Sequence, residues 1–216
     1  MSDANQELTL FITANDLTRF HLGCGITFLQ GWLNINYWPH LDEGKLYANP
    51  NQVMGTFVLN HDLRTGIPSD NNSLDAVYHS HFLEHLTYTE GLAFLRQCYD
   101  ALKIGGIHRL VMPDLEAFSR AYVAGDNILL QKYREHVLTD HPEIYETNAS
   151  IFMGMLHGHG HKCGYDWTTL KWALERIGFK RIRRTLFQES DLPDIIQIEP
   201  YSPLRALESI CVECYK

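Results

Sequence analysis

Short apolar runs bounded by glycine, proline and asparagine alternate with longer stretches in which apolar positions recur every three or four residues. The first kind fits buried strands, the second amphipathic helices. Phe20-His21-Leu22, Leu33-Asn34-Ile35-Asn36, residues 56–60, 74–80 and 107–112 read as five strands. Behind the fourth, Thr87-x-x-Glu90 forms a capping box for a helix with Leu92, Leu95, Tyr99 and Leu102 at helical spacing, and Gly105-Gly106 is expected to stop it. Residues 115 to about 140 are helical in pattern but divided at Gly125-Asp126. Asp166 caps another helix, with Leu170, Ala173, Leu174 and Ile177 on one face and Gly178 past its end. Residues 180–187 and 207–215 supply two late strands, a hairpin-like pair with a long connection. Residues 8–12 read as a short strand or extended lead-in, 42–52 as a loop and 65–73 as turns. Alternating strands and helices imply an α/β fold: a mostly parallel seven-stranded sheet with helices on both faces, in one domain spanning 1–216. Residues 115–164 are placed as a helical lid insertion facing the substrate; from His136 to Gly164 they are rich in His, Gly and Met and lack a clean period.

The stretch Arg19–Trp38 organises the rest. Gly23-Cys24-Gly25 follows the first strand directly, and two glycines one residue apart let a backbone turn sharply and bring its N–H groups near a ligand. Between Gly25 and Gly31 there is too little chain for a helix, so the first crossover is abbreviated. The strand ends are Gly23-Cys24-Gly25, Asn36, His61-Asp62, Ser80-His81 and Pro113-Asp114. In an open parallel sheet such ends line one crevice. A glycine turn, a ribose-facing polar group and an acid beside an adenine-sized space suit an adenosine cofactor.

Charge narrows the partners. The 216 residues carry 18 Lys and Arg against 26 Asp and Glu, a net charge of −8. That leaves no cation excess for general nucleic-acid or anionic-membrane binding. The basic run Lys180-Arg181-Ile182-Arg183-Arg184 reads as a solvated strand. No apolar run is long enough for a membrane span, and the N-terminus lacks a signal-peptide pattern. Five scattered cysteines fit reduced thiols in a cytoplasmic protein. Strand alternation sends Cys211 and Cys214 to opposite faces, against a metal or redox pair.

The blocks HLGCG, GWLNIN, HDL, NSLDAVYHSHFLEHL, LKIGGIHRLVMPD and a late GF, in that order and spacing, resemble the class I S-adenosylmethionine-dependent methyltransferases, in their type 11-like branch. The blocks run from about residue 20 to 179, and the branch shares the short first crossover. The resemblance implies a Rossmann-like fold, S-adenosylmethionine as cofactor and methyl transfer by in-line displacement to a small-molecule or glycan-type acceptor. It implies that Gly23, Cys24 and Gly25 approach the methionine part of the cofactor. Asn36 stands where the family usually has an acid holding both ribose hydroxyls. Asp62 would meet the adenine amino group, Leu63 the ring, and Ser80 and His81 the methionine moiety and acceptor. If the acceptor must lose a proton, His81 and His85 are the expected bases, with Glu84 orienting one of them. His157 and His159 could reach in from the lid.

Other readings compete. His81-x-x-Glu84-His85 is also the inverted zinc-peptidase string, but it leaves a strand directly, precedes the helix cap and suggests no third ligand, so a zinc hydrolase is less favoured. Glu84 and His85 could equally just hydrogen-bond the chain as it leaves the sheet. His157, His159, His161 and Cys163 share a face if extended and could trap a metal, although such loops are more often plain surface, so no metal is assigned. Trp32, Trp38, Trp167 and Trp172 read as packing residues, Met153 and Met155 as lid contacts or core, and Cys24 as a small buried residue in a tight turn. A dinucleotide dehydrogenase would want a third glycine opening a helix, which is missing. A non-catalytic scaffold of the same fold is the main alternative, with Asn36 as its support.

Overall fold

The computed structural model describes residues 3–48, 56–125 and 127–216. In chain order the strands are β1 (Arg19–Leu22), β2 (Leu33–Asn36), β3 (Leu46–Ala48), β4 (Phe57–Asn60), β5 (Leu74–Ser80), β6 (Leu102–Pro113), β7 (Lys180–Thr185) and β8 (Ser209–Tyr215). The helices are α1 (Asp3–Ala14), α2 (Tyr88–Ala101), α3 (Leu115–Ala124), α4 (Asn127–His136), α5 (Asn148–His157), α6 (Trp167–Ile177), α7 (Ile195–Ile198) and α8 (Pro203–Glu208). One eight-stranded sheet has the order β3-β4-β2-β1-β5-β6-β8-β7. The inner pairs β4-β2-β1-β5-β6 are parallel, and β3, β7 and β8 join antiparallel. Among the described residues no helix is long and apolar enough to cross a membrane.

Four expectations are corrected. Residues 8–12 lie in helix α1, not in a strand. Within the stretch expected to be loop, Leu46–Ala48 pairs with β4 as an edge strand, making the strand count eight rather than seven, while 49–55 lie outside the described residues. The Gly105-Gly106 pair does not stop α2. That helix ends at Ala101, and β6 runs through the glycines, where its register against β5 shifts and Gly105 takes φ +81°. Trp172 is not a packing residue; it is exposed, with Arg176 over its ring.

The first crossover, residues 23–32, contains no helix. Buried Asn34 on β2 staples it instead. Its Nδ2 donates to the carbonyls of Leu29 (3.1 Å), Trp32 and Phe57, and its Oδ1 accepts from Leu29 N–H at 2.8 Å. Asn60, ending β4, does the same for the next loop: Oδ1 accepts from Trp38 N–H at 2.7 Å, and Nδ2 donates to the carbonyls of Trp38, Leu41 and Asp42. Each side chain does for a short loop what helical backbone bonds do in a regular crossover.

The core lies on both faces of the sheet. Phe20, Leu22, Ile35, Val77 and Leu110 pack with α2 and α6, and Trp32, Tyr78, Val111 and Ile198 pack on the other face. Cys214 belongs to the first cluster and Cys211 to the second, as strand alternation requires. Helices α3, α4 and α5 share a separate cluster of Phe118, Leu130, Tyr133, Leu138, Ile151 and Met155. The capping box of α2 and the Asp166 cap of α6 both form. Arg183 and Arg184 of the basic strand are paired with Glu213 and Asp191, and with Asp114 and Glu116.

Candidate active site

Strand β1 has β2 on one side and β5 on the other, so the chain reverses its direction of sheet growth there. Ligands of open α/β sheets bind at such a switch point, beyond the carboxyl ends of the strands. A cavity of about 360 Å³ lies there, lined by Gly23, Gly25, Asn36, Tyr37, His61, Asp62, Leu63, Arg64, His81, Phe82, His85, Leu86 and Lys162. Small-molecule sites usually occupy roughly 300–1,000 Å³, so the space suits one nucleoside-sized ligand.

Of the residues expected from the sequence, Gly23, Gly25, Asn36, Asp62, Leu63, His81 and His85 line this cavity, and Cys24, Ser80 and Glu84 do not. Cys24 points into the core, where burial pushes its thiol up to about 12, which leaves it unreactive. Within the expected lid segment, Lys162 borders the cavity, while His157 and His159 do not. His61, expected at the crevice as a strand end, also lines the cavity, whereas Tyr37, Arg64, Phe82, Leu86 and Lys162 were not anticipated. Tyr37, Arg64, Phe82 and Leu86 immediately flank residues that were, so proximity in sequence was the available signal.

The glycine turn is held on both sides. Cys24 N–H donates to Ile35 O at 3.0 Å, and Gly25 N–H donates to Asn36 Oδ1 at 3.2 Å. Gly23 has φ +64°, and an added Cβ would stand 2.2 Å from the Phe82 ring. The glycine therefore makes room for Phe82, which also packs on Phe94 with ring centroids 5.0 Å apart. Asn36 Nδ2 remains a donor for a ligand. Asp62 is gripped by Arg64 through Nε (2.9 and 3.1 Å) and Nη2 (2.6 Å), and the guanidinium holds its carboxyl below the usual range. His61 Nε2 donates to Gly66 O at 2.8 Å, and Glu43 Oε1 accepts from Asp62 N–H at 3.0 Å.

His81 sits just past β5 in left-handed backbone, φ +52°. Arg205 Nη1 lies 2.6 Å from its Nε2 and 2.7 Å from its Nδ1, and also donates to buried Glu208 at 2.7 Å. Burial, and after it the Arg205 charge, push His81 down to about 3. It is a neutral acceptor for Arg205, and a weak base at neutral pH. Glu84 is 2% exposed, in a 3-10 turn over Leu83–His85, and burial pushes its carboxyl up. Its Oε1 lies 3.3 Å from His81 Nδ1, close enough for the expected orienting contact, although neither carboxylate oxygen has a hydrogen-bond partner among the described residues. Glu84 therefore contributes only its backbone carbonyl to the hydrogen bonds of this turn, accepting from Lys162 N–H at 2.8 Å.

No family model and no curated protein matches the sequence. Solved structures do match. A SAM-dependent methyltransferase of Archaeoglobus fulgidus superposes with a TM-score of 0.51 at 17% identity, over 98% of this chain and 92% of that one. Methyltransferases of Aquifex aeolicus (TM-score 0.49, 15% identity, 98% and 88% covered) and Thermotoga maritima (0.49, 13%, 98% and 95%) are also similar. The Archaeoglobus match establishes the fold: the Rossmann-like α/β fold found in SAM-dependent methyltransferases.

Proposed function

We propose that this chain binds S-adenosylmethionine in the switch-point cavity and transfers its methyl group to a small-molecule or glycan-type acceptor. The observation that carries the reading is one cavity bordered by the glycine turn after β1 and by the ends of β2, β4 and β5. In this reading Asn36 Nδ2 donates to a ribose hydroxyl, and the second lone pair of its Oδ1, beyond the one held by Gly25, accepts from another. Asp62, whose carboxylate accepts from Arg64 N–H, Nε and Nη2, offers its one remaining lone-pair position to the adenine amino group while Arg64 holds its orientation. Leu63, Phe82 and Leu86 form the apolar wall, and the turn from Gly23 to Gly25 meets the amino-acid end.

A sulfonium methyl is already activated. The acceptor's lone pair forms the new bond as the carbon–sulfur bond breaks, and that electron pair leaves with sulfur as a neutral thioether. The protein's contribution is alignment and exclusion of water. Helices α3–α5 with the loop to Gly164 would serve as the lid over the acceptor. Where the acceptor has a proton to lose, His81 is too weakly basic, and removal falls to His85 or to solvent.

Calorimetric titration with S-adenosylhomocysteine tests the reading. We expect saturable binding by the wild type, weakened roughly tenfold or more, about 1.4 kcal/mol, by Asn36→Ala and by Asp62→Asn, with the fold retained. A wild type that binds neither S-adenosylhomocysteine nor S-adenosylmethionine would replace this reading with that of a non-catalytic scaffold.

A further inference from the structure

Behind the cavity wall, the turn after β5 meets the loop that follows α5. Glu84 and His85 come from the turn and His161 from the loop, and one ligand atom from each lies within 4.8 Å of the other two. Three independent details prepare this set for a cation.

The first is Glu84. A buried carboxylate without donors is costly, and both of its oxygens lack hydrogen-bond partners among the described residues. The second is His161. Its Nδ1 lies 2.6 Å from Met155 O, and a carbonyl only accepts, so Nδ1 carries the proton and Nε2 holds the free lone pair. Metal-binding histidines are oriented in this way, by a second-shell acceptor on the opposite nitrogen. The third is backbone anchoring. Lys162 and Cys163 N–H groups both donate to Glu84 O, at 2.8 and 3.3 Å, and Cys163 Sγ donates to Leu86 O at 3.1 Å. These bonds fix the loop's register against the turn, and the His85 and His161 rings meet edge to face at 4.9 Å.

We propose that Glu84, His85 and His161 form a binding site for a zinc-class divalent ion, which pins the 158–163 loop to the turn after β5. Two imidazoles and one carboxylate match a His₂Glu zinc set with an open fourth position, whereas magnesium and calcium favour oxygen ligands. Zinc bonds of about 2.0–2.2 Å draw the three groups inward, which rotation of the partly exposed His85 and His161 rings allows. His81 is not one of the three converging residues, and the one acceptor nitrogen of its neutral ring faces Arg205 Nη1. No hydrolysis is implied, and the site stands whether or not the chain transfers methyl groups. Ligation does commit the His85 lone pair, so a metal-loaded chain does not use His85 as a base.

Full-length protein is stripped with a chelator and titrated with zinc chloride by calorimetry, with cobalt(II) absorption as a second readout. The expected result is one ion per chain, with a dissociation constant in the micromolar range or tighter and tetrahedral cobalt bands. Glu84→Gln, His85→Ala and His161→Ala should each weaken binding by at least roughly tenfold. His159→Ala should leave it unchanged, although that ring lies only 6.3 Å from His161. Circular dichroism identifies any variant that fails to fold, and His85→Ala, at a partly exposed position, keeps the test open if Glu84→Gln does. Absence of saturable zinc binding, or equal loss with His159→Ala, overturns the site. S-adenosylhomocysteine titration of the stripped protein separates either failure from a failure of the methyl-transfer reading.

Discussion

A residue's reason for being small can differ from the one its motif suggests. Gly23 fits a ligand-cradling turn, yet its missing Cβ is filled by the Phe82 ring. Gly23→Ala therefore combines a left-handed backbone cost of about 1–2 kcal/mol with overpacking of about 1–3 kcal/mol. Denaturant unfolding should show a loss of roughly 2–5 kcal/mol in the wild-type background and only the backbone part in a Phe82→Gly background, because alanine at 82 would keep the Cβ that stands 2.9 Å from the added atom. Equal losses in both would mean that the ring is not what Gly23 accommodates. Asn36 makes the complementary case. Its Oδ1 accepts Gly25 N–H, a bond that Asp could keep while adding a charged acceptor. Asn36→Asp should then tighten S-adenosylhomocysteine binding by about tenfold in calorimetry. Unchanged or weaker binding would separate position 36 from the ribose.

At the scale of elements, the late connection depends on one buried pair. Arg109 on β6 and Glu199 just after α7 are both fully buried and joined at 2.7 and 2.8 Å. Arg109 also donates to Thr185 Oγ1 and Glu189 O, and Glu199 accepts from Gln188 N–H, so the pair anchors residues 185–199 to the sheet. Glu199→Ala leaves a guanidinium buried without its partner and should cost about 3–5 kcal/mol, whereas Arg109→Met with Glu199→Leu should recover most of that loss. A double variant no more stable than the single one would argue that the contacts to Thr185 and Glu189 matter more. The pair also shows where the sequence stops being legible. Strands β1, β2, β4, β5 and β6 announce themselves as largely apolar runs closed by glycine, asparagine, serine or proline, and the capping residues of α2 and α6 are local chemistry. Arg109 sits inside such a run, and its partner lies 90 positions away. Residues 8–12 mislead because LTLFI is strand-like in composition, yet they take helical form. Strand β3 is too short to stand out and is defined by its pairing with β4. The cavity was legible where strand ends meet; Lys162 was not, and His161 stood out only beside His157, His159 and Cys163, because only the fold brings their loop to Glu84 and His85 in the turn after β5.

For the whole molecule, three histidines buried in the central strands make the sheet sensitive to acid. His21 on β1 is pushed down to about 4 and His108 on β6 to about 3, both by burial; His79 on β5 lies well below its ordinary value for the same reason. The His79 and His108 rings lie 5.2 Å apart among Phe94 and Phe179, and none of their nitrogens has a hydrogen-bond partner among the described residues. Each stays neutral in the native state and is protonated in the unfolded chain below about pH 6.5. The unfolded state then binds more protons, so the stability these groups contribute is complete above about pH 6.5. It falls as pH drops toward the native values, by up to about 1.4 kcal/mol per pH unit for each histidine. Buried Glu208 and Asp114, pushed up by burial, act in the opposite direction, so the net curve alone does not isolate the histidines. A comparison of pH profiles does. Between pH 6.5 and 5, urea unfolding of His79→Leu with His108→Leu should show a slope lower than wild type by up to roughly 2.7 kcal/mol per unit. The same variant should match or exceed wild type at pH 8, because unpartnered buried nitrogens give way to apolar contact. Parallel profiles would mean that the two rings reach solvent or charged partners before the sheet unfolds, and acid sensitivity would then belong to the surface pairs.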